Sequence, residues 1–140
     1  MNFAKIQEKI VAYIENDFEQ YLAQYGIPRP AVSTDFMDLD KHKNSFSVFL
    51  DFSKITFERT KFATDCCEPV QLSMSFYLVH RNQPSEKLRN DMMNAASAFY
   101  SLLKDYRGAN AVEIRELNNY NIVEGTKFIT ISEFSVKITN

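Results

Sequence analysis

From Val70 onward, Val70, Leu72, Met74, Phe76 and Leu78 alternate with Gln71, Ser73, Ser75 and Tyr77. A period of two with one apolar face predicts a half-buried strand over 70–80. Beyond a turn at 82–85 the period changes. Leu88, Met92, Ala95, Phe99, Leu102, Leu103 and Tyr106 recur every three or four residues, which predicts an amphipathic helix running to about Arg107. Ser85 is placed to cap it, because a serine oxygen accepts from the first unpaired amides. Glu86 suits the positive helix start, and Gly108 supplies the stop. Near the N-terminus Phe3, Ile6, Ile10, Ile14, Phe18, Tyr21, Leu22 and Tyr25 form a similar stripe, with Lys5, Glu8, Lys9, Glu15 and Glu19 on the other side. Gly26 and Pro28 end that helix.

Between these elements, 29–44 is polar and poorly periodic and reads as a connector with a short strand near 31–36. Phe46, Val48, Leu50 and Phe52 alternate with polar residues, and Ile55 and Phe57 continue the period, predicting two paired strands or one long bent strand. Residues 59–69 lack periodicity and read as a loop. After the second helix, Val112 and Ile114 mark a strand, 118–121 a turn region, Gly125 a second turn and 127–138 a final strand. In that last strand Ile129 and Ile131 are odd whereas Phe134, Val136 and Ile138 are even, so its inward face is expected to switch near Ser132 at a β-bulge or bend.

The order α-β-β-β-α-β-β predicts a single α+β domain over 1–140: a mainly antiparallel mixed sheet with two amphipathic helices on one face. The other face is then expected to be open, with Phe49, Tyr77 and Val79 pointing to it. Met93 and Tyr100, seven apart beside the stripe of the second helix, form a second candidate contact edge. These five residues are the candidate interface. Against it stand two plainer readings: isolated apolar residues are common on monomer surfaces, and Met93 and Tyr100 more often just widen a core stripe.

Charge narrows the choice of partner. Sixteen Lys plus Arg against eighteen Asp plus Glu, with no block of either sign, leave a net charge of −2 and no electrostatic reason to expect nucleic acid or an anionic membrane. The helix, three strands, helix order of the first hundred residues is shared with double-stranded-RNA-binding domains. Those need a cationic surface, and here Lys87, Arg89, Lys104 and Arg107 are separated. Cys66 and Cys67 are adjacent and cannot form an ordinary unstrained disulfide, so a reducing cytoplasm is expected. No run of eighteen apolar residues predicts a membrane span, and Lys5, Glu8 and Lys9 disfavour a signal peptide.

Candidate chemistry is sparse, and no enzyme activity or cofactor is expected. Asp35, Asp38, Asp40 and His42 are the one short-spaced group of oxygen and nitrogen ligands, yet they lack an EF-hand glycine and a closing ligand set. A solvated acidic connector is the preferred reading, with no metal site. A thiolate and base built from Cys66 or Cys67 with His80 would need an orienting Asn or Asp that is not identifiable, and His80 is expected to end its strand. With three glycines in all, two of them at helix ends, no loop can cradle phosphates through bare amides.

The succession of the Phe3 to Tyr25 helix, strands over 46–57, the long strand at 70–80, "RNQPSEKL" leading into a helix ending "LLKDYRG", then "AVEIREL" and "KFITISEFSVKI" resembles the tail-terminator proteins of long-tailed bacteriophages. The likeness spans most of the chain and rests on the order and lengths of elements. It implies a small α/β subunit that assembles into a hexameric ring on the tail tube, halts tube polymerisation and offers a surface for joining the head. By the same implication its partners are itself, tail-tube and head-completion proteins, and it would be found in the cytoplasm of the bacterial host and in the virion tail. No catalytic residues come with the resemblance. The alternative is a cytoplasmic small-molecule or protein-binding module without catalysis, using the same open face.

Overall fold

The computed structural model describes residues 2–33, 46–57, 70–81, 85–124 and 127–139. Helix α1 spans Phe3–Ala23, followed by strands β1 (Ala31–Ser33), β2 (Phe46–Phe57) and β3 (Val70–Arg81), helix α2 (Glu86–Lys104), and strands β4 (Ala111–Glu124) and β5 (Lys127–Thr139). Among the described residues the strands form one sheet in the order β1-β2-β3-β5-β4. Only β1 runs parallel to its neighbour; the other pairings are antiparallel. The α+β class is thus as the periodicities predict.

Both helices lie on one face of the sheet. Ile10, Ile14, Phe18 and Leu22 of α1 and Ala95, Phe99, Leu102 and Leu103 of α2 share a core with Val48, Leu50, Leu72, Met74, Phe76, Leu78, Phe134, Val136 and Ile138. The helix boundaries have local causes. Asn2 Oδ1 accepts from the Lys5 amide at 3.2 Å, and Ser85 Oγ accepts from the Leu88 amide at 3.1 Å, which satisfies donors that a first helical turn leaves unpaired. Past α1, Gly26 adopts φ +68, a left-handed conformation that costs glycine nothing. Tyr25, expected in the buried stripe, is 38% exposed. Gly108 does something other than stop α2, which has already ended at Lys104: the Tyr106 ring folds back over it, where a Cβ would collide.

One open strand alternative is decided and two strand expectations change. First, β2 is one strand with a register shift between Phe52 and Lys54. The extra residue returns odd-numbered Ile55 to the helix-covered side opposite Leu72, after even-numbered Phe46, Val48, Leu50 and Phe52. Second, β5 carries no bulge at Ser132: its pairing with β3 is continuous from Gln71↔Thr139 to Arg81↔Ile129. Its change of phase reflects two buried faces, with Phe134, Val136 and Ile138 under the helices and Ile129 and Ile131 behind the sheet. Third, residues 118–121 are mid-strand in β4, because pairing with 130–133 of β5 outweighs the turn preference of asparagine. The expected turn at Gly125, the loop at 59–69 and the end of the strand expected near 31–36 lie outside the described residues.

Candidate functional site

The face of the sheet away from the helices is not open where it was expected to be. Phe49 and Val79 do point away from the helical core, but both are 0% exposed and belong to a second apolar cluster with Ile129 and Ile131. Tyr77 and Ile122 are half-buried against this cluster. Buried side chains offer a neighbour no area, so Phe49 and Val79 are corrected from surface to core. Burial raises the Tyr77 phenol above its ordinary pKa, and the carboxylates of Glu133 and Asp51 add to that rise against a hydrogen bond with Ser75.

An accessible apolar surface lies on the helical side, between α2 and β4. Met93 and Tyr100, at 54% and 48% exposure, stand on the rim of a groove of about 510 Å³. Ala96, Ser97 and Ser101 of α2 form one wall, Ile114, Arg115, Glu116 and Leu117 of β4 the other, and Phe134 the floor. The sheet order explains the opening: β4 is the outermost strand beyond β5, so α2 covers Phe134 but leaves Leu117 41% exposed. A register shift between Ile114 and Glu116 turns both Ile114 and Leu117 toward the helix despite their opposite parity. Ser97 Oγ donates to the Met93 carbonyl at 3.0 Å, so that hydroxyl is spent within α2. Lys104 Nζ sits 5.7 Å from the Tyr100 ring centre, a cation held over the outer side of the aromatic face.

Met93 and Tyr100 are therefore brought together on one exposed edge, whereas Phe49, Tyr77 and Val79 belong to a different layer. Sequence reasoning missed Leu117 and the β4 wall because the asparagines at 118–121 read as a turn. The signal that would have found them is the alternation of Tyr120 with Ile122, which continues a strand through them.

Charge-bearing candidates reduce to one described group. Asp35, Asp38, Asp40, His42, Cys66 and Cys67 lie outside the described residues. His80, one residue before the end of β3, is 4% exposed and stacks on Phe46 at 4.4 Å between ring centres. Its Nε2 has no hydrogen-bond partner among the described residues. Burial lowers its pKa from 6.5 to about 4, against a smaller opposing pull from Asp91. The unfolded chain therefore binds a proton between pH 6.5 and 4 that the folded chain refuses, so stability is full above pH 6.5 and falls as pH drops toward 4. The loss is about 3 kcal/mol when complete. Urea unfolding of the wild type and His80→Leu at pH 7.5 and 4.5 is expected to show a smaller acid loss in the variant, and equal losses would contradict the assignment.

On the far side of the helices, the Tyr21 hydroxyl donates to Asp105 Oδ2 at 2.6 Å and the Tyr13 hydroxyl to the Leu102 carbonyl at 2.7 Å, tying α1 to the end of α2. The first contact raises the Tyr21 pKa, because the phenol proton is held by a carboxylate. These bonds set the helix pair that carries one wall of the groove. No protein-family model matches this chain, and no curated protein matches it in sequence.

Proposed function

We propose that this chain works by protein–protein contact as the tail-terminator subunit of a long-tailed phage or prophage. It would form a hexameric ring that caps the tail tube, stops its polymerisation and offers the head a joining surface. The observation that supports this reading is the apolar α2–β4 groove, rimmed by Met93, Tyr100 and Leu117 beside an edge strand. A ring of identical subunits needs two different patches per chain, one fitting the other. The groove serves as one of them. The element order quoted above supports the phage assignment, the bacterial cytoplasm and virion tail as locations, and a role without catalysis.

A second reading draws on the size of the groove. About 510 Å³ falls within the range of small-molecule sites, so a binding module that takes an apolar ligand there is the alternative.

Sedimentation and electron microscopy of the full chain with purified tail tubes distinguish the two. The ring reading expects a species of about six times 16.3 kDa, or tubes capped at one end. Met93→Lys and Tyr100→Lys should each weaken capping at least about tenfold while leaving the melting temperature within a few degrees, since both side chains are exposed. Uncapped tubes and no assembly at any concentration would overturn it. Saturable one-to-one uptake of an apolar fluorophore, lost in Tyr100→Lys, would favour the alternative.

A further inference from the structure

The outer edge of β4 pairs with no strand among the described residues. Natural edges are usually blunted by lysine, proline or a bulge. In β4 the bulge comes early, between Ile114 and Glu116, and pairing with β5 then runs without interruption from Glu116↔Ser135 to Glu124↔Lys127. The uninterrupted segment reads E-L-N-N-Y-N-I-V-E and contains neither lysine nor proline. Tyr120 is its midpoint. Its three exposed large apolar residues, Leu117, Tyr120 and Val123, at 41%, 37% and 66% exposure, are spaced symmetrically about that midpoint.

Two β4 edges that meet antiparallel across a two-fold axis perpendicular to the sheet keep the helices of both chains on one side, so paired residues must share a face. Centring on Tyr120 meets that condition. Leu117, Asn119, Asn121 and Val123 pair in β5 with Phe134, Ser132, Thr130 and Phe128, placing them on the helical side, and Asn119 Oδ1 accepts from Ser132 Oγ there at 2.7 Å. Tyr120 and Ile122 pair with Ile131 and Ile129 on the other side.

We propose that two copies of this chain join through β4 in this register. Leu117 then stands opposite Val123 of the second copy, Asn119 opposite Asn121, and Tyr120 against itself on the axis. The exposed apolar positions of each edge are the ones that cover each other, and the amides between them form a ladder. The one like-charge juxtaposition, Glu116 opposite Glu124, falls at the two ends of the paired segment, furthest from the axis. A shift by two residues in either direction would set Leu117 or Val123 against asparagine or charge, whereas the proposed register pairs both with apolar partners and leaves Ile122 opposite Asn118. The contact uses the same patch twice and stops at two. It differs from the head-to-tail contacts of a ring but shares Leu117 with the groove, so Met93→Lys, on α2 and outside β4, should weaken capping while leaving this dimer intact.

The test is sedimentation of the full chain from 1 to 500 μM, combined with cysteine scanning in a Cys66→Ser, Cys67→Ser background. A contact confined to one strand edge belongs with weak, transient associations, so a dimer with a Kd on the order of 1–100 μM is expected. Val123→Lys should weaken it at least about tenfold without lowering the melting temperature. With a short bis-maleimide, Tyr120→Cys should cross-link to itself. Leu117→Cys and Val123→Cys should each stay uncross-linked alone and cross-link when mixed. A monomer across the whole range, self-linking of Leu117→Cys, or an assembly indifferent to Val123→Lys would each overturn the proposal.

Discussion

Phe49→Asp is expected to abolish the folded state as completely as Phe76→Asp does, although the two side chains lie on opposite faces of the sheet. Phe76 sits at 0% exposure under the helices, with its ring 5.3 Å from that of Phe99. Phe49 is also at 0% exposure, in the cluster with Val79, Ile129 and Ile131. A carboxylate at either place replaces a ring buried among apolar side chains. It must stay charged at a cost of several kcal/mol or take up a proton and leave an unsatisfied hydroxyl. The lost apolar contacts add roughly 3–5 kcal/mol, and the sum reaches the whole stability of an ordinary domain, about 5–15 kcal/mol. Tyr77→Asp, next to Phe76 in sequence, should fall short of that. Tyr77 is half-buried, so the cost is about 1–3 kcal/mol, some of it repulsion from the Glu133 and Asp51 carboxylates that already raise the phenol pKa. Circular dichroism and urea unfolding of the three variants give the ranking. A folded Phe49→Asp would show that the second face is surface after all.

Phe99→Ala carries the next largest effect, a loss of about 3–5 kcal/mol. Its ring lies 5.3 Å from Phe18 of α1, 5.3 Å from Phe76 of β3 and 5.1 Å from Phe134 of β5. Two of these contacts are edge-on, the arrangement in which the positive rim of one ring meets the negative face of another. Truncation leaves a void lined by three rings from three elements. None of these can swing into it without leaving its own partners, so little of the cavity collapses. Phe134 also floors the α2–β4 groove, so the same substitution should loosen the groove. Denaturation of Phe99→Ala beside Phe99→Leu is expected to show the leucine variant recovering at least half the loss. A loss below about 1 kcal/mol in Phe99→Ala would mean that the rings are not packed as described.

The element order, both helix stripes, the Ser85 cap and the helical face of the sheet were legible in the chain because each depends on neighbours within a few positions. A period of 3.6 or 2 is local geometry, and a capping oxygen reaches only the next turn. Three features were decided by the tertiary structure. The opposite parity of Ile129 and Ile131 against Phe134, Val136 and Ile138 is written in the sequence, but a bulge and a strand buried on both faces produce the same parity pattern. Only the unbroken pairing with β3 chooses the second. Asparagines at 118, 119 and 121 favour turns by themselves and became strand because β5 supplies hydrogen bonds along that whole stretch. The placement of β4 outside β5 is a matter of sheet order, which no local pattern encodes. That order is what leaves Leu117, Met93 and Tyr100 exposed around one groove while Phe49 and Val79 go into the core.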